Sequence, residues 1–266
     1  MSDAMSPPLS QPPAALLARE DVVRIALVRH GETFQNREHV VQGQHPHFGR
    51  LTEAGMIQAR LLGKALAARP FEMVHSSPLE RAVLTTALIL LPRAGDRTLP
   101  LAFPPELREI HLGPLQGRPH AEWKAAMNGA EPMTWRSPGG ESWQDVQDRV
   151  TRWFRQAVLD APQRTVLIVA HGGVNRGLIA SLTGLTMGEA WQGPGVGAPQ
   201  DNTCLNDLLV DREGRLQWAL VNDSSHLLEQ FAGASRGQLW QAHSRSWELL
   251  GDRPFAGRGA DFDPYA

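Results

Sequence analysis

Cysteine is almost missing from this chain: one residue, Cys204, in 266. A lone thiol excludes an intrachain disulfide framework and a cysteine-based zinc site, and it fits a reducing compartment, so the expected location is cytoplasmic. An excess of either charge is missing too, since Lys+Arg 26 against Asp+Glu 28 gives a formal net charge of -2. Without surplus positive charge the protein has little with which to hold a phosphate backbone by counterion release, and no nucleic acid partner is expected. Long apolar runs are also lacking. The longest, such as residues 166–170, are strand-sized and far short of the roughly 20 residues that span a bilayer. No membrane anchor is expected, and the sequence carries no sign of an oligomeric state.

What is present is a regular alternation of elements. Residues 1–20 are rich in Pro, Ser and Ala, with neither a basic start nor an apolar core of signal-peptide type, and are expected to form a disordered leader. A chain of this length can bury one full core, placed over residues 21–230, with a tail over 231–266. Residues 22–28 form an apolar run broken only by Arg24, which predicts a buried strand ending at Arg29-His30-Gly31. Thr52 and Glu53 open a helix with Met56, Ala59, Leu62 and Leu66 on one face, before the stop at Pro70. Residues 71–75 predict a short strand, and Ser76-Ser77-Pro78 starts a helix carrying Arg81 near its beginning.

Residues 99–140 are Pro/Gly-rich with scattered Trp and His, which predicts a cap passing over the domain rather than more sheet. Ser142 with Asp145 has the form of a capping box, and Val146, Val150, Trp153, Phe154 and Val158 repeat at helical spacing. The strand at 166–170 ends in His171-Gly172-Gly173, a helix over 175–183 stops at Gly184, and residues 205–210 and 216–221 read as paired strands. The fold class predicted is α/β: a three-layer α/β/α sandwich with a mostly parallel sheet and a cap segment. Ligands of such sheets bind at the carboxyl ends of strands, and both His30 and His171 directly follow strands.

Phosphoryl transfer needs a nucleophile in line with phosphorus, cations for the equatorial oxygens and an acid for the leaving alkoxide. A neutral histidine can be that nucleophile when its other ring nitrogen is held by a hydrogen bond. His30 has the position for it. Arg29 and Arg81 offer planar donor forks, His171 if protonated adds a third positive donor, and Gly31 and Gly172 let backbone approach an anion. That chemistry calls for no metal and no cofactor.

The motifs around these residues resemble the histidine phosphatase (phosphoglycerate mutase-like) superfamily. LVRHGET at 27–33 is similar to its signature, and Asn36, Gln42-Gly43 and LTEAGMIQA at 51–59 continue the match. SSPLERA at 76–82 resembles the segment bearing the second phosphate-binding Arg, Leu107-Arg108-Glu109 through Leu115-Gln116-Gly117 the acid-bearing motif, Gly140-Glu141-Ser142 with Arg149 another recurring segment, and AHGG at 170–173 the second histidine motif. The resemblance implies a metal-independent phosphomonoesterase acting on a small phosphorylated metabolite. It assigns His30 as nucleophile, Glu109 as acid and then base, Arg29, Arg81 and His171 as catalytic phosphate ligands, and Asn36, Gln42 and Gly172 as substrate-binding residues. A mutase returning the phosphoryl group to substrate, or a weakly catalytic phosphate-binding protein, are the alternatives.

Two departures concern the substrate side: the stretch 44–50 is longer and more basic than the family's short acidic turn, and Gln116 stands where many phosphatases of the family have Glu. Arg50, Arg118, His120 and Lys124 are candidates to read a second anionic group. His45 and His47 lack a third ligand at a persuasive spacing, so a solvated or substrate-facing loop is preferred to a metal site. Trp123 and Trp135 divide between lining a substrate pocket and packing, while Trp143 is assigned to packing. The Gly233-Ala234-Ser235-Arg236-Gly237 stretch matches a nucleophile elbow in spelling but lacks the strand that should precede it.

Overall fold

The computed structural model describes residues 11–93, 98–192, 200–227 and 245–247, with backbone alone for the last two residues of the second stretch and for the final three. The strands are β1 (Val22–Arg29), β2 (Met73–Ser76), β3 (Leu101–Ala102), β4 (Thr165–Ala170), β5 (Leu205–Asp211), β6 (Leu216–Asp223) and β7 (Arg245–Trp247). The helices are α1 (Ala14–Leu17), α2 (Phe34–Arg37), α3 (Glu53–Ala65), α4 (Glu80–Leu90), α5 (His120–Met127), α6 (Trp143–Phe154), α7 (Gly172–Leu182) and α8 (Met187–Gln192).

Among the described residues all seven strands join one sheet, in the order β3-β2-β4-β1-β5-β6-β7. β1 to β4 pair in parallel, β5 runs against β1, and β6 turns back against β5, so β1, β2, β3, β4 and β6 point one way and β5 and β7 the other. Side chains alternate across this sheet and each face has its own core. On one face Ile25, Leu27, Val166, Ile168 and Leu208 pack with Val146, Val150 and Phe154 of α6 and Val174 and Leu178 of α7. On the other, Ala26, Val28, Leu167 and Val169 meet Leu62 of α3 and Ala82 and Ile89 of α4. The three-layer sandwich follows from that two-sided burial, at about 1.5–3 kcal/mol for each large apolar side chain taken from water.

The helix starts follow the local chemistry. Thr52 Oγ1 accepts from Gly55 N, and Ser142 and Asp145 form a reciprocal capping box. α4 begins two residues later than Pro78, at Glu80, so Arg81 is its second residue.

Two expectations need correction. Within the stretch read as a disordered leader, Ala14–Leu17 is a helical turn, because Leu16 has the apolar group of Val22, Leu209, Trp218 and Leu220 to pack against. Within the cap, Leu101–Ala102 belongs to the sheet, pairing with Val74 and His75, since the exposed edge of β2 accepts even a two-residue strand. Further along, residues 117–120 are zipped to the chain after β1. Val41 N donates to Arg118 O, Gly117 N to Val41 O and His120 N to His39 O. Residues 1–10, all of the 231–266 tail except 245–247, and the 233–237 glycine-serine stretch lie outside the described residues. Among the described residues no helix is long and apolar enough to cross a membrane.

Candidate active site

Register builds the site. Arg29 at the end of β1 is opposite Ala170 at the end of β4, and Ser76 of β2 is opposite Val169. The next residue on each strand, His30, His171 and Ser77, therefore emerges at one level of the carboxyl edge. His30 N donates to Ala170 O at 3.0 Å and Ser77 N to Val169 O at 2.9 Å. The two imidazoles lie with ring centroids 5.2 Å apart. Both are buried, His30 to 3% and His171 to 0% exposure.

Their partners fix their tautomers. His30 Nδ1 lies 2.8 Å from Gly31 O. A carbonyl can only accept, so Nδ1 carries the proton and the lone pair sits on Nε2. His171 is the reverse case: Arg81 Nε can only donate, and it donates to His171 Nδ1 at 3.2 Å, leaving the Nε2 proton for Ser77 Oγ at 2.8 Å. Burial, with Arg81 and Arg29 adding repulsion, holds the His30 pKa well below its ordinary 6.5. Burial and then Arg81 and His30 do the same to His171. The condition under which His171 would add a positive charge, protonation of its ring, is therefore not met here. His171 is a neutral donor, because a second cation beside Arg81 in a buried site is too costly.

Arg81, in the first turn of α4, is 1% exposed. It also donates to Gly43 O at 2.8 Å and Phe48 O at 3.4 Å, which ties the loop carrying Gln42 to α4 beside His171. Burial brings its guanidinium down to about 10. Arg29 is half-buried and donates Nη1 to Gln200 O, while its Nε is buried without a partner. Gly172, the first residue of α7, is adjacent: a Cβ there would lie 3.7 Å from Arg29 Nε. The positive end of this helix therefore lies beside Arg29, with His171 as its N-cap residue.

Glu109 comes from the cap. Its carboxylate accepts from Ile110 N at 3.0 Å and Gly173 N at 3.3 Å, which brings it to the start of α7. Its main-chain oxygen accepts from Gln44 Nε2 at 2.8 Å and Arg149 Nη2 at 3.2 Å, and Arg149 is itself paired with Glu141 at 2.8 Å. Gln116 also has a structural task. Its Oε1 accepts from Gln44 N at 2.6 Å, so an amide oxygen secures the 43–44 turn.

Asn36 caps α2 reciprocally with Thr33 and is linked to the main chain at His30 through Asn202. Gln42 is 9% exposed, with Oε1 buried and without a partner. Of the other candidates, Arg50, Arg118 and Lys124 are exposed and His120 is half-buried. Trp123 and Trp143 are both buried in the core against one another, centroids 5.9 Å apart, and Trp135 packs on the same cluster. His45 stacks on Phe48 at 4.0 Å, and its Nδ1 accepts from His47 N. Among the described residues no three His, Cys, Asp or Glu side chains gather as a metal-binding group.

Ser77, Gln200 and Asn202 are site residues that the sequence motifs do not assign. Ser77 lies inside the 76–82 motif, which gives it no role. Residues 200–203 precede β5, and only the pairing of β5 with β1 brings them beside Arg29 and His30.

The family model described as histidine phosphatase superfamily (branch 1) matches residues 25–224. The chain is 37% identical over 176 residues to a glucosyl-3-phosphoglycerate phosphatase of Mycolicibacterium vanbaalenii, covering 62% of this chain and 76% of that protein. It is 33% identical over 175 residues to the adenosylcobalamin/alpha-ribazole phosphatase of Escherichia coli K12, covering 64% and 83%. The solved structure of Bacillus stearothermophilus YhfR superposes with a TM-score of 0.62 at 30% identity, covering 73% of this chain and 94% of that one. With the paired strand-end histidines, the two arginines and the cap carboxylate all present, this chain belongs to the histidine phosphatase superfamily, branch 1.

Proposed function

We propose that this phosphatase hydrolyses the phosphomonoester of a small metabolite through a phosphohistidine formed on Nε2 of His30. The observation that carries the proposal is the His30 tautomer: with the Nδ1 proton committed to Gly31 O and the ring held neutral, Nε2 has a lone pair to give. In the first step Nε2 bonds to phosphorus as the ester P–O bond breaks, and the carboxyl proton of Glu109 goes to the leaving alkoxide. In the second, the Glu109 carboxylate takes a proton from water, whose oxygen bonds to phosphorus as P–N breaks and inorganic phosphate leaves. Arg29, Arg81, His171 and the amide of Asn36 serve the equatorial oxygens, with Gly172 letting the α7 backbone come close. The unpartnered Arg29 Nε is a donor for that purpose, and Gln42 faces the remainder of the substrate.

The relatives' names support a small phosphorylated metabolite as the substrate class. The exposed basic residues Arg118 and Lys124 on the cap suit a second anionic group on it. A cytoplasmic setting goes with this reading, since Cys204 is a buried free thiol whose pKa burial pushes up, unsuited to bridge formation. The test is hydrolysis of an aryl phosphate in the presence of a strong metal chelator, for wild type and His30→Ala. Turnover by the wild type should survive chelation, and the variant should lose about a thousandfold or more. Turnover that chelation abolishes, or that His30→Ala retains, would refute the mechanism.

A further inference from the structure

Beside the nucleophile lies an amide that the reaction scheme does not use. Asn202 stands just before β5, and β5 is the antiparallel neighbour of β1, so the end of one strand and the approach to the other meet at His30. Asn202 Nδ2 donates to His30 O at 3.1 Å and to Asn36 Oδ1 at 3.2 Å. One NH2 group thus spends both protons on a bridge between the nucleophile's carbonyl and the side chain expected to touch the phosphoryl group.

The two ends of the bridge are not equally dependent on it. His30 O already accepts from Thr203 N at 3.2 Å, with Thr203 in a left-handed turn at φ 57°. The carbonyl therefore keeps a donor if the Asn202 amide is lost. Asn36 is different, because its carboxamide can rotate by half a turn and exchange oxygen for nitrogen at little steric cost. Its Oδ1 gathers Thr33 N at 3.1 Å, Thr33 Oγ1 at 3.0 Å and Asn202 Nδ2. Every neighbour recorded at that end is a donor, so the oxygen belongs there and Nδ2 is left as the end that can donate to a bound oxyanion. Thr33 Oγ1 is a hydroxyl and could accept from a rotated amide, and the capping box leaves it doing so for Asn36 N at 3.1 Å already. Thr33 N and the Asn202 amide have only protons to offer at this end and both penalise the rotated state; of the two, Asn202 is the one that a side-chain substitution can remove.

Resting on the phosphohistidine-pocket reading above, we infer that Asn202 is a positioning residue: it fixes the Asn36 amide so that Nδ2 faces the phosphoryl oxygens. A rotated Asn36 would instead turn an oxygen toward an anion, replacing attraction by repulsion. Asn202→Asp should be worse than Asn202→Ala, because a carboxylate has no proton for Asn36 Oδ1 and actively favours the rotated amide.

The experiment is a double-mutant cycle on Asn36→Ala and Asn202→Ala, read both as affinity for inorganic phosphate by calorimetry and as kcat/KM on an aryl phosphate. Asn202→Ala alone should weaken phosphate binding about tenfold, Asn202→Asp more, and Asn202→Ala should add little once Asn36 is alanine. The melting temperature of each variant separates this effect from loss of fold. Equal losses in both Asn36 backgrounds, or wild-type phosphate affinity in Asn202→Asp, would overturn the inference. Phosphate binding does not require His30 to act as nucleophile. A failed His30→Ala test with an intact cycle would therefore sink the reaction scheme alone, whereas additive losses with a successful His30→Ala test would sink only the role of Asn202.

Discussion

At the scale of single residues the site is defined by what each neighbour leaves no room for. Gly173 is the sharpest case. A Cβ there would lie 2.2 Å from the Trp143 ring and 2.7 Å from Glu109 Oε1, and Trp143 is buried in the core where its ring has nowhere to go. Gly173→Ala should therefore cost about 1–3 kcal/mol of stability through overpacking. It should also lower kcat more than it raises KM, since the carboxylate next to it is pushed aside. Urea unfolding together with steady-state kinetics checks this, and a variant with wild-type values of both would show that Glu109 is not held by the start of α7. Gly43 follows the same logic at the loop, where φ is 50° and a Cβ would lie 2.3 Å from Gln116 Oε1. A motif gives the glycine. Only the packing gives the reason.

At the scale of elements, caps and strand ends carry the argument. Ser142 Oγ accepts from Asp145 N, and Asp145 in turn accepts from Ser142 N and from Arg136, which holds its carboxyl well below the usual range. Ser142→Ala should lower the denaturation midpoint by an amount equivalent to about 1 kcal/mol, the ordinary loss for an N-cap. Because α6 also carries Arg149, which braces the main chain at Glu109, the same variant should lose some kcat. An unchanged midpoint would mean that tertiary packing alone sets the start of α6. This capping box, the Thr52 start of α3 and the strands around 22–28 and 166–170 are local signals, and they could be read directly. The two-residue β3 could not, because its existence depends on an unpaired edge of β2 rather than on anything in Leu101–Ala102 itself.

At the scale of the molecule the histidines make folding sensitive to acid. His30 and His171 are held well below 6.5, His75 is brought to about 4 and His226 to about 3, each first by burial. In each case the unfolded chain binds the proton more readily than the folded one. The stability they contribute is therefore present above about pH 6.5 and is lost as pH falls toward the folded values. Each contributes a slope of about 1.4 kcal/mol per pH unit within that window. Asp201 and Asp223, raised by burial, act oppositely: their contribution is full below 3.8 and declines as pH rises through their folded values. Melting temperature should fall steeply from pH 6.5 to pH 5 and more so than in His75→Phe, which removes one of these buried histidines. A flat profile over that interval would contradict the neutral assignment of the paired active-site histidines.

The sequence by itself determined the inventory of this protein: which strand each histidine follows, which helix carries Arg81 and, through the resemblance of its motif alone, that Glu109 is the cap carboxylate to expect near them. These are short-range patterns, written within a few residues of each other. It also put both imidazoles directly after strands, where a mostly parallel sheet binds its ligands, and so at one site if those strands are neighbours. The tertiary structure alone decided that Arg29 and Ala170 share a register, that Ser77 and Arg81 hold His171 as a neutral donor, and that Asn202 reaches His30 from the far side of β1. Strand neighbours, burial and proton positions are set by residues far apart in the chain, 172 positions in the case of Asn202 and His30, and no local pattern records such a distance.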